Sequence, residues 1–210
     1  MDQALDMPWA ALNELRRIVL SPWYKLLFAI NGVQWKKGWH IYGMPIIQRF
    51  RGSEIEIGDH AWLRSWRSSN PLIPLHPVTL STRSKKAVIH IGNYTNLTST
   101  ILVAMDRIEI GNHVWIGSNT TIVDTDFHPL DPNKRLIAPS EGSFKPVVIE
   151  DDVFIGMNCL ILKGVHIGSC SVVGAGSVVT RNVPPNAVVA GNPAVIVKQE
   201  DISNTGDISG

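Results

Sequence analysis

Aliphatic residues recur at every sixth position along the C-terminal half of the chain. The longest run is unbroken over six repeats, at Ile149, Ile155, Ile161, Ile167, Val173 and Val179. The fifth residue of each repeat is small or β-branched, at Val153, Cys159, Val165, Ser171, Ser177 and Val183. A period of six matches neither the 3.6 residues of a helical turn nor the alternation of an open sheet. It predicts a short strand and a turn, repeated many times.

The same six-residue phase appears upstream, and glycine often follows the aliphatic residue. Glycine suits such positions because the backbone must turn tightly there. Units of this kind bury little surface alone and become stable when they stack on one another. The pattern therefore predicts a parallel β-solenoid. In the alternative, a meander of ordinary hairpins, the shared six-residue phase of the repeats would be a coincidence. The upstream aliphatic residues are Ile57, Leu63, Ile91, Leu97, Ile110, Ile116 and Ile122.

Residues 1–40 follow a different pattern, with Leu12, Leu15, Ile18 and Val19 at helical spacing and Trp23, Trp35 and Trp39 after them. This amphipathic stripe predicts a short helical N-terminal extension. A solenoid needs a cap over its open end, and we expect residues 1–40 to supply it; the alternative, peripheral contact with a membrane surface, is not favoured. We expect the solenoid over 41–199 and a disordered polar tail over 200–210.

The one large break in the six-residue period lies at the stretch from Asp124 to Asp131, "DTDFHPLD". The repeat that should begin at His128 begins instead at Ile149, so the 21 residues 128–148 must leave the solenoid as a loop. Loops of this length in a compact fold are usually functional or disordered. His128 would then stand at the base of an ejected loop on a rigid scaffold, which is a common way to build a site.

The pairing of Asp126 with His128 suggests acid–base chemistry. If the chain is extended there, both side chains point to the same face. Asp126 would accept a hydrogen bond from one ring nitrogen and leave the other as a general base. The alternative is a solvated corner histidine beside a structural carboxylate. Asp124 and Asp131 receive no catalytic role and are expected to shape the turn.

Composition narrows the class of protein. With 19 Lys+Arg against 18 Asp+Glu and no long run of like charge, the chain has little electrostatic basis for binding nucleic acid. No apolar segment reaches the roughly 18 residues needed to span a bilayer, and no secretory signal is visible. The two cysteines, Cys159 and Cys170, are too few for a disulfide framework. We expect a cytoplasmic protein.

Residues 108–198 resemble the sugar O-acetyltransferase branch of the hexapeptide-repeat acyltransferases, which includes galactoside, maltose, nodulation and polysaccharide-biosynthesis acetyltransferases. The resemblance rests on "DTDFHPLDPNKR", from Asp124 to Arg135, and on the run from Val153 to Ala194. It implies an all-β fold, a left-handed parallel β-helix with three repeats per turn. It also implies transfer of an acetyl group from acetyl-CoA to a hydroxyl of a sugar or polysaccharide precursor, with His128 as general base and Asp126 orienting it.

The resemblance further implies the residues that bind acetyl-CoA, which are Phe154, Gly156, Met157, Gly174, Ala175, Thr180 and Arg181. Phe154 stands where the family often has Trp, and Arg181 where it often has Lys. Tight turns also require glycine and small residues, so a purely structural role remains open for them. No metal is implied, and the two cysteines lack the setting of an activated nucleophile.

The partners implied are acetyl-CoA, a carbohydrate acceptor and two further copies of the chain in a homotrimer whose sites lie between neighbours. Trp115, at an outward position, is either an interface residue or an ordinary surface aromatic. Trp62 and Trp66 either help form a sugar platform or pack the N-terminal coils. Two other functions remain as alternatives, a non-catalytic scaffold and a metalloprotein of the carbonic anhydrase type, which would need three zinc-binding histidines.

Overall fold

A computed structural model describes residues 7–199; the predicted tail over 200–210 lies outside the described residues. The chain begins with a long helix, α1, Pro8–Ile30. Proline is well placed in the first turn, where its missing N–H has no partner to lose. No helix of residues 7–199 combines the length and the hydropathy that crossing a bilayer requires.

The rest of the described chain winds through three sheets, and each of the first five coils contributes one strand to each sheet. Sheet A contains β1 His40–Tyr42, β4 Trp62–Arg64, β7 Asn96–Thr98, β10 Trp115–Ile116, β13 Phe154–Ile155, β16 Val172–Val173, β18 Ala187–Gly191 and β19 Ala194–Gln199. Sheet B contains β2 Ile46–Gln48, β5 Thr79–Thr82, β8 Ile101–Ala104, β11 Thr121–Val123, β14 Leu160–Ile161 and β17 Val178–Val179. Sheet C contains β3 Glu54–Ile57, β6 Val88–Ile91, β9 Arg107–Ile110, β12 Val147–Ile149 and β15 His166–Ile167.

The core of the coil consists of the residues that the six-residue period predicted. All six aliphatic positions from Ile149 to Val179 are buried, and so are all six fifth positions from Val153 to Val183. Parallel pairing places each residue over its counterpart in the next coil, as in Ile116 over Ile155. The prediction of a parallel β-solenoid is confirmed, and the hairpin meander is excluded.

The predicted apolar stripe of α1 does not face the coil. Leu12, Leu15, Ile18 and Val19 are all exposed, and so is Trp23. The opposite face of the helix packs on the coil through Tyr24 and Phe28, which are fully buried. The helical period predicted the helix correctly but assigned the wrong face to the core, since the buried residues of α1 are Asn13, Tyr24 and Phe28.

The opposite end of the coil closes differently from the prediction. Strand β19 turns back and pairs antiparallel with β18, so the regular winding ends at Gly191 rather than at 199. The antiparallel strand covers the edge of β18 and itself becomes the terminal strand of sheet A.

The loop leaves the coil between sheets B and C. It begins after Val123, where β11 ends, and returns at Val147, where β12 begins, so it covers 124–146 rather than 128–148. A short helix, α2, Pro132–Ile137, lies within it. Beyond the loop, Val148 and Ile149 resume pairing with Glu109 and Ile110 of the preceding coil.

Candidate active site

The loop has a narrow, hydrogen-bonded neck. The backbone N–H of Asp126 donates to the carbonyl of Ser143 at 2.9 Å, and that of Lys145 donates to the carbonyl of Asp124 at 2.8 Å. An isolated antiparallel bridge joins Thr125 to Phe144. The two ends of the loop therefore hold each other, and the segment around His128 is fixed relative to the coil.

Asp124 attaches the start of the loop to the preceding coil. Its fully buried carboxylate accepts backbone hydrogen bonds from Met105 at 2.7 Å, Asp106 at 2.7 Å and Arg107 at 2.8 Å. Burial raises the pKa of Asp124, and the three backbone hydrogen bonds partly offset that effect. The carboxylate satisfies donors that would otherwise be unpaired in the interior, so the residue shapes the turn, as expected.

Asp131 has a local role as well. Its carboxylate accepts hydrogen bonds from the backbone N–H groups of Asn133 and Lys134 at the start of α2. An aspartate before the first helical residue is a favoured N-cap because the first N–H groups of a helix lack partners. Both carboxylates that received no catalytic role thus support the backbone around His128.

His128 follows a tight γ-turn. Phe127 has a φ of +62°, and the backbone N–H of His128 donates to the carbonyl of Asp126 at 2.7 Å. A side chain at Gly142 would meet the backbone N of His128 at 2.6 Å, so the returning strand of the loop approaches closely only because this residue is glycine. The turn rotates His128 away from the direction that an extended chain would give it.

A backbone carbonyl orients the His128 ring. Its Nδ1 lies 2.5 Å from the carbonyl oxygen of Pro139, on the far side of the loop. A carbonyl oxygen only accepts hydrogen bonds, so in the neutral ring the proton lies on Nδ1 and Nε2 carries the lone pair. The side chain is exposed, and Nε2 has no partner among residues 7–199. Nε2 is therefore free to accept a proton from a group outside the chain.

The predicted contact between Asp126 and His128 is wrong. Among the described residues, the carboxylate of Asp126 accepts instead from the Nζ of Lys163 and from the Oγ of Ser143. Partial burial raises the pKa of Asp126, but these hydrogen bonds outweigh it and leave the pKa below its ordinary value. The carboxylate is therefore ionised at neutral pH, and the ion pair loses its stabilising effect only as the pH falls below about 4, through the lowered pKa.

Lys163 is a site residue that the sequence reasoning missed. It lies in the next coil, where Ile161 pairs with Ile122, so Lys163 occupies the corner position above Asp124. Aligning the two coils after removal of the insertion would have placed it at the base of the loop. The carbonyl of Pro139 and the hydroxyl of Ser143 carry no such sequence signal.

The residues expected to bind acetyl-CoA lie on two different corners of the coil. Gly156 and Met157 form the turn between sheets A and B, and Gly174 and Ala175 repeat that turn one coil later. Both glycines have a structural reason: a side chain at Gly156 would meet the backbone N of Ala175 at 2.6 Å, and one at Gly174 would meet the Cβ of Ala190 at 3.0 Å.

Thr180 and Arg181 follow β17 and lie at the corner between sheets B and C, both exposed. The loop with His128 leaves from this second corner. Phe154, by contrast, stands on the outer face of sheet A, half exposed, and its neighbour in the ladder is Trp115. One chain therefore keeps most of the expected acetyl-CoA residues and the base at separate corners.

The comparisons with known proteins agree with this architecture. Residues 146–181 match the family model described as hexapeptide repeat of succinyl-transferase. The chain is a hexapeptide-repeat protein. Its fold is the left-handed parallel β-helix that the resemblance implied. A hexapeptide-repeat-containing acetyltransferase from Vibrio cholerae O1 biovar eltor, solved in complex with acetyl coenzyme A, superposes with a TM-score of 0.53. It is 27% identical, over 92% of this chain and 88% of that one.

Two relatives share more of the sequence over a shorter stretch. The galactoside O-acetyltransferase of Escherichia coli strain K12 is 36% identical over 68% of this hexapeptide-repeat chain and 63% of its own length. That of Lactococcus lactis strain IL1403 is 40% identical over 53% of each. The chain thus spans less than two thirds of the length of either relative.

Three tryptophans of this hexapeptide-repeat protein, Trp62, Trp66 and Trp115, lie outside the loop in different environments. The Trp62 ring stacks on His40 at 4.1 Å with Arg64 over it, and Trp66 packs where a side chain at Gly43 would stand. Trp115 is exposed at the outward position predicted for it. Within residues 7–199, no group of three or more His, Cys, Asp or Glu side chains is arranged to hold a metal ion.

Proposed function

We propose that this protein is an acetyl-CoA-dependent O-acetyltransferase that modifies a hydroxyl of a sugar or polysaccharide precursor. The observation that carries the proposal is the His128 ring, whose Nδ1 is held by the Pro139 carbonyl while Nε2 is left bare at the base of the loop. Support comes from the galactoside O-acetyltransferase relatives and from the similar acetyltransferase solved with acetyl coenzyme A. The proposed compartment is the cytoplasm.

The reaction is a direct transfer. Nε2 of His128 removes the proton of the acceptor hydroxyl as its oxygen attacks the thioester carbonyl carbon. The carbon–sulfur bond then breaks, and the imidazolium returns the proton to the departing thiolate of coenzyme A. A base positioned in this way typically contributes about 10²- to 10⁴-fold. Asp126 has an indirect, positioning role: its ion pair with Lys163 holds the neck of the loop on the coil.

The donor fits along the corner between sheets A and B. Gly174 and Ala175 place no large side chain on this corner, beside Met157, and half-exposed Phe154 forms an apolar wall at its start; we call this strip the donor groove. We assign the pantetheine to this groove. The guanidinium of Arg181, exposed at the next corner, is suited to the phosphates of the nucleotide.

A homotrimer would complete the site. The groove and the base occupy different corners of one chain, and a threefold arrangement would bring the groove of one subunit to the loop of its neighbour. We therefore assign each site to two subunits.

Subunit mixing tests the shared site. His128→Ala lacks the base, and Ala175→Trp fills the groove at an exposed position, so each homotrimer is expected to be inactive. When equal amounts are unfolded and refolded together, roughly a quarter of the sites should combine an intact loop with an intact groove. Recovery of about that fraction of the wild-type rate supports the model. No recovery from mixtures that sediment as trimers would contradict it, and so would a wild-type chain that sediments as an active monomer.

The activity itself is tested by following free thiol from acetyl-CoA with a panel of sugars and sugar derivatives. We expect acceptor-dependent release of coenzyme A and an acetyl ester on the product, detected as a mass increase of one acetyl group. A scaffold protein would release no thiol with any acceptor. Absence of thiol release, together with zinc bound in stoichiometric amount, would favour the metalloprotein instead.

A further inference from the structure

Two connected depressions lie on the outer face of sheet A, beneath the start of α1. The larger encloses about 580 Å³, and its neighbour, which reaches Phe154 and Met157, about 360 Å³. Trp9, Arg64 and Ser69 line both. We call the two depressions together the aromatic cleft. It ends at Phe154 and Met157, which are assigned to the donor, and its other lining residues have no role in the proposed reaction.

The floor of the aromatic cleft is a ladder of outward side chains from successive coils. Trp62 pairs with Asn96, Asn96 with Trp115, and Trp115 with Phe154. Parallel strands lie about 4.8 Å apart, so the ladder is roughly 15 Å long. Trp9 on α1 is 48% exposed and Trp115 is 59% exposed, which leaves part of each side chain accessible to a ligand. Large, rigid rings with a polar edge suit the alternately apolar and hydroxylated faces of a sugar.

Arg64 gives the aromatic cleft its charge. Its guanidinium lies 4.7 Å from the Trp62 ring centroid and donates one hydrogen bond, from Nη1 to the side-chain oxygen of Asn96 at 2.7 Å. Among residues 7–199, no carboxylate forms an ion pair with it. Burial lowers the pKa of Arg64, which reflects the cost of holding an unpaired charge there.

The nearest acid is already paired elsewhere. Glu14 of α1 also lines the aromatic cleft, but one carboxylate oxygen accepts from the guanidinium of Arg17 at 2.8 Å and the other accepts from the Tyr42 hydroxyl. Glu14 is therefore held by Arg17 and Tyr42, and it acts on the charge of Arg64 only at a distance, without a hydrogen bond to it. A guanidinium with unused N–H groups in a planar fork is suited to two-point binding of a carboxylate or phosphate.

We propose that the aromatic cleft binds the acceptor and selects an acidic carbohydrate, one that carries a carboxylate or phosphate group for Arg64 beside a sugar ring for Trp9 and Trp115. The inference rests on the proposed function, because it supplies the second substrate of that reaction. It places the acceptor ring next to Phe154, at the end of the cleft where the thioester would lie.

The test compares three acceptors that differ mainly in charge: methyl glucuronide, glucose 1-phosphate and the neutral methyl glucoside. Hydrogen bonds to charged groups contribute enough for about a 10- to 100-fold preference in kcat/KM for the acids. The better of the two acids identifies the anion as a carboxylate or a phosphate. In Arg64→Gln the preference should fall to near unity, and Arg64→Lys should retain only part of it.

Arg67→Gln is the matched control, because this exposed arginine lies three residues away and lines neither depression. It should keep the wild-type preference. Thermal transitions of all variants separate loss of selectivity from loss of fold. Equal rates with acids and neutral sugar in the wild type would overturn the inference, as would an acid preference that survives Arg64→Gln.

Calorimetric titration with the same three compounds in the absence of acetyl-CoA separates the two proposals. Acid binding that depends on Arg64, without any acetyl transfer, would sink the proposed function and retain the site. Acetyl transfer without selective binding of the acids would support the proposed function and contradict the acid-selective site.

Discussion

Replacement of His128 by alanine is expected to lower kcat for acetyl transfer by about 10²- to 10⁴-fold, the usual contribution of a general base. The KM for acetyl-CoA should change little, because the donor groove lies at another corner of the coil. The ring is exposed and makes one hydrogen bond, to the Pro139 carbonyl, so the midpoint of thermal unfolding should stay near that of the wild type. Steady-state kinetics and a thermal melt measure both effects.

His113→Ala is the control for this variant. His113 is also exposed, but it lies on a different turn, against Tyr94 and Asp152, outside the loop. Its removal should leave the rate unchanged. If His128→Ala turned over at a rate comparable to His113→Ala, the assignment of the base would be wrong.

Replacement of Asp124 by alanine is expected to act on stability. It would leave three backbone N–H groups without partners at a position with no exposed surface. Unpaired buried donors cost about 1–3 kcal/mol each, and we expect a total loss of about 3–5 kcal/mol. For a chain of this size, that corresponds to a fall in the unfolding midpoint of roughly 6–20 °C, measurable by calorimetry.

Asp131→Ala offers a matched comparison, since it removes another aspartate of the same stretch. Its carboxylate caps the exposed helix α2, and the loss of an N-cap costs about 1 kcal/mol. The melt of Asp131→Ala should therefore lie close to that of the wild type. Similar melts for the two variants would show that Asp124 does not anchor the coil.

The coil and the place of its break followed from the sequence, because the six-residue period is a local pattern that stacking amplifies. Each aliphatic residue from Ile149 to Val179 occupies the position that the count assigned to it. The same count located the loop but put its start at His128, four residues after Asp124, where the chain leaves the coil. Periodicity reveals which residues face inward, and an interruption of it reveals where the chain leaves the coil.

The contacts around His128 could not be predicted from the six-residue period, because they join residues that are distant along the chain. The γ-turn at Phe127 changes the direction of the His128 side chain, and no pattern of residue types predicts it. Asp126 pairs with Lys163, 37 residues away, and the ring of His128 is held by a backbone carbonyl, which any residue could supply. On α1, helical spacing identified an apolar stripe but not which face the coil would cover.

The loop is inserted at a corner, between the end of β11 and the start of β12, and the pairing of β12 with β9 is regular beyond it. The neck of the loop joins residues near the two ends of the loop. The loop is therefore attached to the coil at the same points whatever the length of chain between them. The loop can thus gain or lose residues beyond His128 without shifting the register of any strand. Insertions or deletions between Pro129 and Gly142 that keep the Pro139 carbonyl beside His128 should therefore leave the fold of the coil unchanged.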